Sequence, residues 1–337
     1  MKALVTGGGG FLGLYIVEQL LLEGFQVRSF SRSSYASLSQ LGIEHLSGDL
    51  RDPDAVDRAC AGVSTVFHTA AVPGIWGSKQ QFFDTNVTGT QNVITACRRH
   101  GVAKLIYTSS PSVVFDGCSH LNADESLRYP QRWMAHYPAS KAAAEQQVLS
   151  ASSQRLATCA LRPHLIWGPR DTQLVPRLIQ RAESGRLRQI GNGTNLVSTA
   201  YVENVAAAHL QAARVLTPDS PVTGQAYFIN ESEPVSCWEW INTLLTRAGL
   251  PPVEKSIPAP IAYAAGATLE VLYALLRLRG EPPMTRFLAA QLSASHSYDI
   301  SKARRDFDFQ PIVTVEEGLA RLEPELRQIA SGADKRA

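Results

Sequence analysis

The sequence predicts an α/β protein with a doubly wound parallel sheet, followed by a smaller and mainly helical region. Three observations support this prediction. A short apolar run, a glycine-rich turn and a helical pattern follow one another within residues 2–17. Strand and helix patterns then alternate as far as about residue 170, which is typical of a parallel sheet with helices on both faces. Beyond this point the rhythm changes, and from about residue 230 helical patterns prevail.

The opening turn predicts a dinucleotide-binding site. Lys2–Thr6 is an apolar run of strand character, and Gly7, Gly10 and Gly13 then give a G-x-x-G-x-x-G spacing before a helix. Residues without a Cβ let the backbone reach positive φ and approach a pyrophosphate closely. The helix N-terminus offers free N–H groups to the phosphates. A glycine-rich surface turn is the alternative. We expect the cofactor contacts to include Gly7, Gly10, Phe11 and Leu12.

The end of the second predicted strand favours NADP(H). About twenty residues past the glycines, NAD-binding folds place an acidic residue on the ribose hydroxyls. This sequence has Ser31 and Arg32 there instead. A hydroxyl and a guanidinium suit a 2′-phosphate, so NADP(H) is the expected cofactor, and NAD remains the alternative. The structural alternative is that Arg32 is only a solvated loop residue.

The next two strands supply further expected contacts. Asp49 follows the third strand and is placed to accept a hydrogen bond from an adenine amine, with Leu50 beside it. Asp52 is expected to cap the following helix. The fourth predicted strand ends with small residues, so that the ribose can lie against the backbone at Ala70. His68, in the same strand, is expected to be a packed histidine rather than an acid or base.

Five more residues are candidates for the cofactor or the substrate. Asn86 and Gly89 lie inside a predicted helix that they favour poorly, which indicates close packing or a polar task near the cofactor. Pro163, at the end of the sixth strand, is expected to contact the cofactor. Trp76 and Trp167 are candidate substrate contacts, although a tryptophan in such a loop is nearly as often a buried anchor.

The predicted domain organisation follows from the end of the regular strand–helix alternation near residue 170. Residues 1–170 are predicted to form an NADP-binding Rossmann domain, to which about 196–215 return. Residues 171–195 and 216–337 are predicted to form the substrate-binding region. A hairpin-like turn is expected at Gly191–Asn195.

The most apolar segment of the second region is Ile257–Leu278. Leucine, isoleucine and alanine recur there at helical spacing. Glu270 within it and Arg277 and Arg279 at its end argue against a membrane span. We expect a lid over an apolar pocket, with peripheral membrane contact through 257–279 as the weaker alternative.

The composition limits the classes of partner. Hydrophobic residues make up 45% of the chain, charged residues 18%, and the net charge is +2, with no long basic block, so no nucleic-acid surface is expected. The five cysteines lack C-x-x-C spacing, which predicts neither a metal site nor a disulfide framework. The first apolar stretch is a strand rather than a signal peptide, so a cytoplasmic location is expected.

Tyr137, Lys141 and Ser110 are the candidate catalytic residues. Tyr137 and Lys141 are four residues apart at the head of a predicted helix, so their side chains share one face. A phenol with a pKa near ~10 is a poor acid at neutral pH, and a neighbouring ammonium should lower that pKa. Ser110 ends the fifth strand and can polarise a carbonyl. With a nicotinamide on the glycine turn, this set predicts hydride transfer coupled to proton transfer at a C–O bond. Alone, such a Tyr-Lys pair is usually a solvated helix face.

These motifs, in this order, resemble those of the extended short-chain dehydrogenases/reductases over about the first 170 residues. The resemblance implies Tyr137 as proton donor and Lys141 as a partner of both Tyr137 and the nicotinamide ribose. It also implies a homodimer. Within the superfamily, the sequence is similar to the 3β-hydroxysteroid dehydrogenase branch through two runs, Tyr107–Val113 and Tyr298–Arg304.

Within that branch, the segments around Trp76 and Leu161–Pro169 are similar to bacterial reductases of olefin synthesis. This similarity implies NADPH-dependent reduction of a long-chain 2-alkyl-3-oxoalkanoic acid to the 3-hydroxy acid. It also implies other enzymes of the same pathway as partners. Ser112 is a further candidate substrate contact and a competitor of Ser110 for the catalytic role.

Three other functions remain open at this point. An NAD-dependent 3β-hydroxysteroid or sterol-4-carboxylate dehydrogenase shares most of these motifs. A nucleotide-sugar epimerase or dehydratase would need a more polar substrate region. Outside the enzymes, the chain could be an NADP-sensing regulator, although a sensor has no need of a proton donor such as Tyr137.

Overall fold

The computed structural model describes residues 1–332 of the chain. Over these residues it contains fifteen strands and thirteen α-helices, which we number in chain order. The strands are β1 (Lys2–Thr6), β2 (Gln26–Ser31), β3 (Glu44–Ser47), β4 (Thr65–His68), β5 (Lys104–Thr108), β6 (His120–Ala123), β7 (Ala157–Pro163), β8 (Ile166–Trp167), β9 (Gln189–Ile190), β10 (Leu196–Val197), β11 (Ala200–Tyr201), β12 (Gln225–Ile229), β13 (Val235–Ser236), β14 (Ser256–Ile257) and β15 (His296–Tyr298).

The helices fall into two groups, those around the main sheet and those of the C-terminal region. A π-helical segment, Asp84–Thr88, joins α4 to α5, and a short 3₁₀ helix spans Pro111–Val114. The α-helices are α1 (Phe11–Leu22), α2 (Ala36–Gln40), α3 (Pro53–Cys60), α4 (Lys79–Phe83), α5 (Gly89–Arg99), α6 (His136–Ser150), α7 (Leu174–Glu183), α8 (Val202–Val215), α9 (Cys237–Arg247), α10 (Ala259–Leu275), α11 (Arg286–Ser293), α12 (Ser301–Phe307) and α13 (Val315–Ala330).

Seven parallel strands form the main sheet, in the order β12-β7-β5-β4-β1-β2-β3. The chain builds outward from β1 to β3 on one side and then crosses to β4 on the other. The strand order therefore reverses between β1 and β4, where doubly wound sheets bind ligands beyond the carboxyl ends of their strands. The predicted doubly wound fold is confirmed.

The edge strand β12 lies in the segment that was expected to belong to the substrate region. It runs parallel to β7, with Gln225 opposite Cys159 and Ile229 opposite Pro163. The boundary predicted at residue 216 is therefore wrong, because β12 completes the main sheet. Helix α12 also packs against β12 and α8, so part of the C-terminal sequence supports the Rossmann domain.

Two hydrophobic layers cover the sheet, one on each face. Ala3 and Val5 pack with the core that includes α1 and α8, whereas Leu4 packs with the core that includes α3, α5 and α6. This separation follows from the strand period of two. Both faces of the main sheet are buried, so the sequence of β1 is a continuous apolar run instead of an alternation of apolar and polar residues.

The C-terminal region has its own core, to which α7, α9 and α13 contribute. Its strands are short. β9 pairs with β14, and β10 pairs with β13 and β15. The turn Gly191–Asn195 therefore links strands of different sheets, and the expected hairpin is not formed there. The loop does turn sharply, because Gly191 and Gly193 both have positive φ.

Helix α10 forms most of the apolar segment that was singled out from the sequence. It packs on α11 through small residues, and a Cβ at Gly266 would lie 2.6 Å from the backbone carbon of Thr285. Its other side is exposed, with Ile261 at 60% and Leu275 at 74% of their full accessibility. Among residues 1–332, no helix is long and apolar enough to cross a membrane.

Candidate active site

A cleft of about 490 Å³ opens beyond the carboxyl ends of β1, β4 and β5, at the reversal point of the sheet. This volume lies within the ~300–1,000 Å³ usual for small-molecule sites. The structure brings most of the predicted site residues together in its wall. They are Gly7, Gly10, Phe11, Leu12, Ser31, Arg32, Asp49, Leu50, Ala70, Ser110, Tyr137, Lys141 and Pro163.

The glycine turn allows close approach of backbone to backbone. Gly7 has a φ of +71°, and a Cβ at Gly13 would lie 2.1 Å from the Gly7 carbonyl oxygen. Among the described residues, no side chain caps the first turn of α1, whose N-cap is Gly10. The N–H groups at Phe11 and Leu12 therefore meet the cleft at the positive end of the helix. A pyrophosphate fits this turn by charge and by available space.

The polar groups at the end of β2 and β3 form the far wall of the cleft. Arg32 is exposed and lines the cavity next to Ser31. Asp49 accepts two side-chain hydrogen bonds from Arg51, of 3.0 and 2.7 Å, which together with its backbone contact lower the pKa of Asp49. The carboxylate of Asp49 is thus ionised and acceptor-only, as binding of an adenine amine requires.

Tyr137 and Lys141 lie one turn apart at the start of α6 and face the cleft from the same side. The Lys141 ammonium donates a 2.6 Å hydrogen bond to the Thr108 carbonyl and lies 4.2 Å from the centre of the Tyr107 ring. Ser110 lies two residues past the end of β5 and accepts hydrogen bonds from the backbone and hydroxyl of Ser112. The three predicted catalytic residues therefore share one cavity.

The pKa values of this pair depend mainly on burial. Burial raises the pKa of Tyr137 to about 12, and a hydrogen bond with Ser110 acts in the opposite direction. This shift is opposite to the lowering expected from Lys141, whose ammonium is directed toward Thr108. Burial lowers the pKa of Lys141 to about 7, while the Glu145 carboxylate one turn further along α6 opposes that change. Tyr137 is thus protonated at neutral pH, and Lys141 is close to its own titration point.

Asn86 supports the cleft from behind instead of lining it. The side chain is 1% exposed and bonds the backbone of Val72 through both its amide oxygen and nitrogen. Its nitrogen also donates to the hydroxyl of Ser140, the residue before Lys141. Asn86 lies in the π-helical segment, and such segments often occur at functional sites. Asn86 therefore links the loop after β4 to α6.

Two buried histidines play structural parts beside the cleft. His68 bonds the hydroxyls of Thr6 and Thr90, and burial lowers its pKa to about 3. The packed role predicted for His68 is therefore confirmed. His209 donates from Nδ1 to the backbone of α8, and its Nε2 accepts from the Thr108 hydroxyl at 2.7 Å. His209 thereby fixes the residue whose carbonyl holds Lys141.

The predicted substrate contacts need one correction. Trp167 is fully buried and stacks edge-on against Tyr201 and Trp240 in the C-terminal core, so its assignment as a substrate contact is wrong. Trp76 is partly exposed and lies edge-on to Tyr273 of α10, outside the wall of the cleft. Ser112 also lies behind Ser110, which favours Ser110 as the group that meets a ligand.

Several residues that line the cleft were not identified from the sequence. They share no motif, because they enter the wall from separate places, which are the loops after β2, β4 and β7, the π-helical segment and β8. Ligands of doubly wound sheets bind beyond the carboxyl ends of the strands, and this rule alone could have identified the lining residues that follow β4 and β7. They include Tyr35, Thr69, Val72, Pro73, Thr85, Leu165 and Ile166.

The parallel sheet, its glycine turn and the Ser-Tyr-Lys set define an extended short-chain dehydrogenase/reductase. The chain belongs to the 3-beta hydroxysteroid dehydrogenase/isomerase family, whose model matches residues 4–259. It is an oxidoreductase.

Its relatives include enzymes with two kinds of name. A 2-alkyl-3-oxoalkanoate reductase of Stenotrophomonas maltophilia is 51% identical over 96% of this chain and 98% of its own length. One of the same name from Shewanella oneidensis is 45% identical over 96% of this chain and 86% of its own. A mouse sterol-4-alpha-carboxylate 3-dehydrogenase, decarboxylating, is 38% identical over 95% of this chain and 89% of its own length.

Solved structures share the fold over nearly the whole chain. A Thermus thermophilus UDP-glucose 4-epimerase in complex with NAD has a TM-score of 0.74 at 24% identity and covers 97% of this chain and 99% of its own. At this identity the likeness concerns the fold alone.

Proposed function

We propose that the protein reduces the 3-oxo group of a long-chain 2-alkyl-3-oxoalkanoic acid to the 3-hydroxy acid, with NADPH as reductant. The observation that carries this proposal is that Ser110, Tyr137 and Lys141 line the same cavity as the glycine turn. The two reductases of that name, at 51% and 45% identity, support the substrate class.

Each protein group has a distinct task in this reaction. The bound nicotinamide supplies the hydride. Ser110 donates a hydrogen bond to the substrate carbonyl oxygen and polarises it, and Tyr137 gives its proton to the same oxygen as charge develops there. A pKa of about 12 keeps the Tyr137 phenol protonated, as a proton donor must be. Lys141 holds positive charge beside the phenolate that remains.

NADP(H) is proposed over NAD because of the groups at the end of β2. Arg32 and Ser31 line the cavity with no carboxylate beside them in the β2 strand. A guanidinium binds a phosphate monoester well and gains little from a ribose hydroxyl. Asp49 is proposed to bind the adenine amine, and Asn86 to act on the cofactor site through Val72.

A second candidate function is an NAD-dependent sterol or steroid 3β-hydroxy dehydrogenase. The mouse relative at 38% identity favours it, and the same Ser110, Tyr137 and Lys141 would serve the reverse reaction. Reduction of 3-oxo acids and oxidation of 3β-hydroxysterols, each measured with both nucleotides, separates the two candidate functions.

The family resemblance adds two further proposals, that the protein is a homodimer and that it contacts enzymes of the same pathway. Light scattering of the purified chain tests the proposal of a homodimer.

Replacing Tyr137 by Phe tests the proposed function. We expect kcat to fall by at least about 10²-fold, because the substituted ring has no proton to give, while NADPH still binds. The ring packs at 6.2 Å from Phe82 in either case, so the fold should persist. Ser112→Ala is the matched control and should retain activity. Full turnover by the Phe variant would remove Tyr137 from the mechanism.

A further inference from the structure

A second cavity, of about 740 Å³, lies between the segment after the 3₁₀ helix and helices α10 and α11. We call it the α10 groove. Met134, Trp133 and Tyr263 contribute to its walls, together with Ala289 and Ala290 of α11. None of the residues assigned above to the cofactor or to catalysis lines this groove. Its volume alone is within the ~300–1,000 Å³ range of small-molecule sites.

A compact apolar cluster adjoins the α10 groove. We call it the Phe115 cluster. The Phe115 and Phe287 rings meet edge-to-face, with 5.9 Å between their centres. The cluster also includes Ala290 and Ala294, and Ile75, Met134 and Ala135 pack against it.

The Phe115 cluster shares residues with the α10 groove and is close to the cleft along the chain. Ala290 is part of the cluster and Met134 packs against it, and both also line the α10 groove. Ala135 is two residues before Tyr137, and Ile75 is two residues past the cleft residue Pro73, in the loop after β4. The Cα atoms of Met134 and Tyr137 can be at most about 11 Å apart, since only two residues lie between them. A long alkyl chain can span this separation.

Two of the charged groups at the α10 groove are engaged by neighbouring side chains. The Arg286 guanidinium is held by the Glu270 carboxylate at 2.7 Å. Asp116 is likewise paired with His120 at 2.9 Å. Arg132 is a further cation in the wall of the groove, whereas Met134, Ala289 and Ala290 form an apolar part of that wall. This apolar part gains free energy from burial of methylene groups.

We propose that the α10 groove receives an alkyl chain of the substrate, which reaches it from the catalytic cleft through the Phe115 cluster. This inference rests on the proposed reduction of a long-chain 3-oxo acid and adds the location of its chain. The side chains of Met134 and Phe287 would move apart to admit the chain, and the unbranched Met134 can do so at low cost. The length of chain that the groove accepts then sets the specificity of the enzyme.

The first test is Ala290→Trp, which fills the junction between cluster and groove. For long-chain substrates kcat/KM should fall by about fourfold for each methylene kept out of the groove, whereas kcat/KM for a short 3-oxo acid should stay within about twofold. Ala264→Trp adds the same side chain on the exposed side of α10 and should change neither value. Equal losses for short and long substrates, or no loss for either, would overturn the proposal.

The second test measures binding instead of turnover, and it leaves Ala290 at the junction unchanged. A terminally brominated long-chain fatty acid methyl ester quenches tryptophan fluorescence on contact and carries no charge to pair with Arg132. We expect it to quench the wild-type protein, and most of that quenching to vanish in Trp133→Phe, because Trp133 lines the groove. Identical quenching in both proteins would place the chain elsewhere.

The two tests also keep the two proposals apart. If the wild-type protein reduces neither short nor long 3-oxo acids, the proposed function fails, and the quenching of Trp133 decides on the groove by itself. If short 3-oxo acids are reduced but chain length has no effect on kcat/KM in the wild type, the function stands and the groove proposal fails.

Discussion

Lys141 is held by the protein backbone and by an aromatic ring, with only 2% of its surface exposed. Its ammonium bonds the Thr108 carbonyl, which in turn is fixed by the hydrogen bond between the Thr108 hydroxyl and His209. A charge in this position costs desolvation free energy, and this cost lowers the pKa of Lys141 to about 7. The charge of the site therefore changes within the physiological pH range.

This pKa predicts the pH dependence of the reaction. The pKa of Lys141 is lowered to about 7, so its ammonium is present below that pH and is lost as the pH rises above it. We expect kcat/KM for NADPH, which reports groups of the free enzyme, to fall above about pH 7. Tyr137, with a pKa of about 12, stays protonated throughout and does not contribute to this fall.

Lys141→Arg provides the control for the pH profile. A guanidinium keeps its charge to beyond pH 12, so the profile of this variant should be flat between about pH 7 and 9, even if its rate is lower. A wild-type profile that is flat to pH 9 would contradict the assigned role of the Lys141 charge.

We propose that Arg32 decides the nucleotide preference. Because a charge-assisted hydrogen bond to phosphate contributes about 1.5–3 kcal/mol, Arg32→Ala should weaken NADPH binding by roughly ten- to a hundredfold. NADH binding should change by less than about twofold. Fluorescence titration of both nucleotides measures the two effects. Arg51→Ala is the matched control, since Arg51 pairs with Asp49 nearby. Equal losses for NADPH and NADH in the Arg32 variant would exclude the 2′-phosphate contact.

Individual residues differ in how well their roles could be predicted from the sequence. Gly7, Tyr137 and Lys141 belong to local motifs whose spacing is set by one turn of backbone, and all three line the cleft. Trp167 follows a cleft residue in sequence, yet its surroundings are made by Tyr201 and Trp240, which are distant in sequence. Local patterns carry no information on such contacts, so the substrate role predicted for Trp167 was wrong.

Among the elements, β12 also shows that local sequence patterns do not predict contacts with distant parts of the chain. Gln225–Ile229 is a short apolar run that could be a buried strand or a helix segment, and periodicity alone does not distinguish these. It becomes a strand because β7 offers an unpaired parallel edge beside it. The capping of α3 by Asp52 is different, since its carboxylate accepts from the N–H groups of Asp54 and Ala55, close along the chain. That prediction depends only on neighbours in sequence, and it is confirmed.

We propose that cofactor binding depends on the turn between β1 and α1. A Cβ at residue 13 would lie 2.1 Å from the Gly7 carbonyl oxygen, which is backbone and cannot rotate away. We expect Gly13→Ala to displace the turn, to reduce the free energy of unfolding by about 1–3 kcal/mol and to weaken NADPH binding at least tenfold. Urea unfolding and nucleotide titration measure the two effects.

Gly62→Ala is the matched control for the turn. Gly62 has a positive φ, unlike Gly13, and a Cβ at this position would have no neighbouring atom within 4 Å. This variant should lose stability through backbone strain and keep its affinity for NADPH. Unchanged NADPH affinity in Gly13→Ala would show that the glycine turn does not hold the pyrophosphate.

At the scale of the whole molecule, the sheet brings together groups that are far apart in the chain. The glycine turn follows β1 and Ser110 follows β5, while Tyr137 comes from α6, and all meet beyond the carboxyl ends of the strands. This meeting is predictable from the sequence, because right-handed parallel crossovers place all strand ends on one side. The packing of α10 and α11 around a second cavity is not predictable in this way, since it depends on contacts between short, irregular elements.

Transfer of label from deuterated NADPH is the most direct test of the central claim, that a nucleotide on the glycine turn and the phenol of Tyr137 act on one carbonyl. NADPH deuterated at both C4 positions is incubated with a 2-alkyl-3-oxoalkanoic acid, and the product is analysed by mass spectrometry. The account predicts a 3-hydroxy acid that carries one deuterium at C3, formed in equal amount to the NADP⁺. A hydroxy acid without deuterium, or a product formed with no net consumption of NADPH, would contradict it.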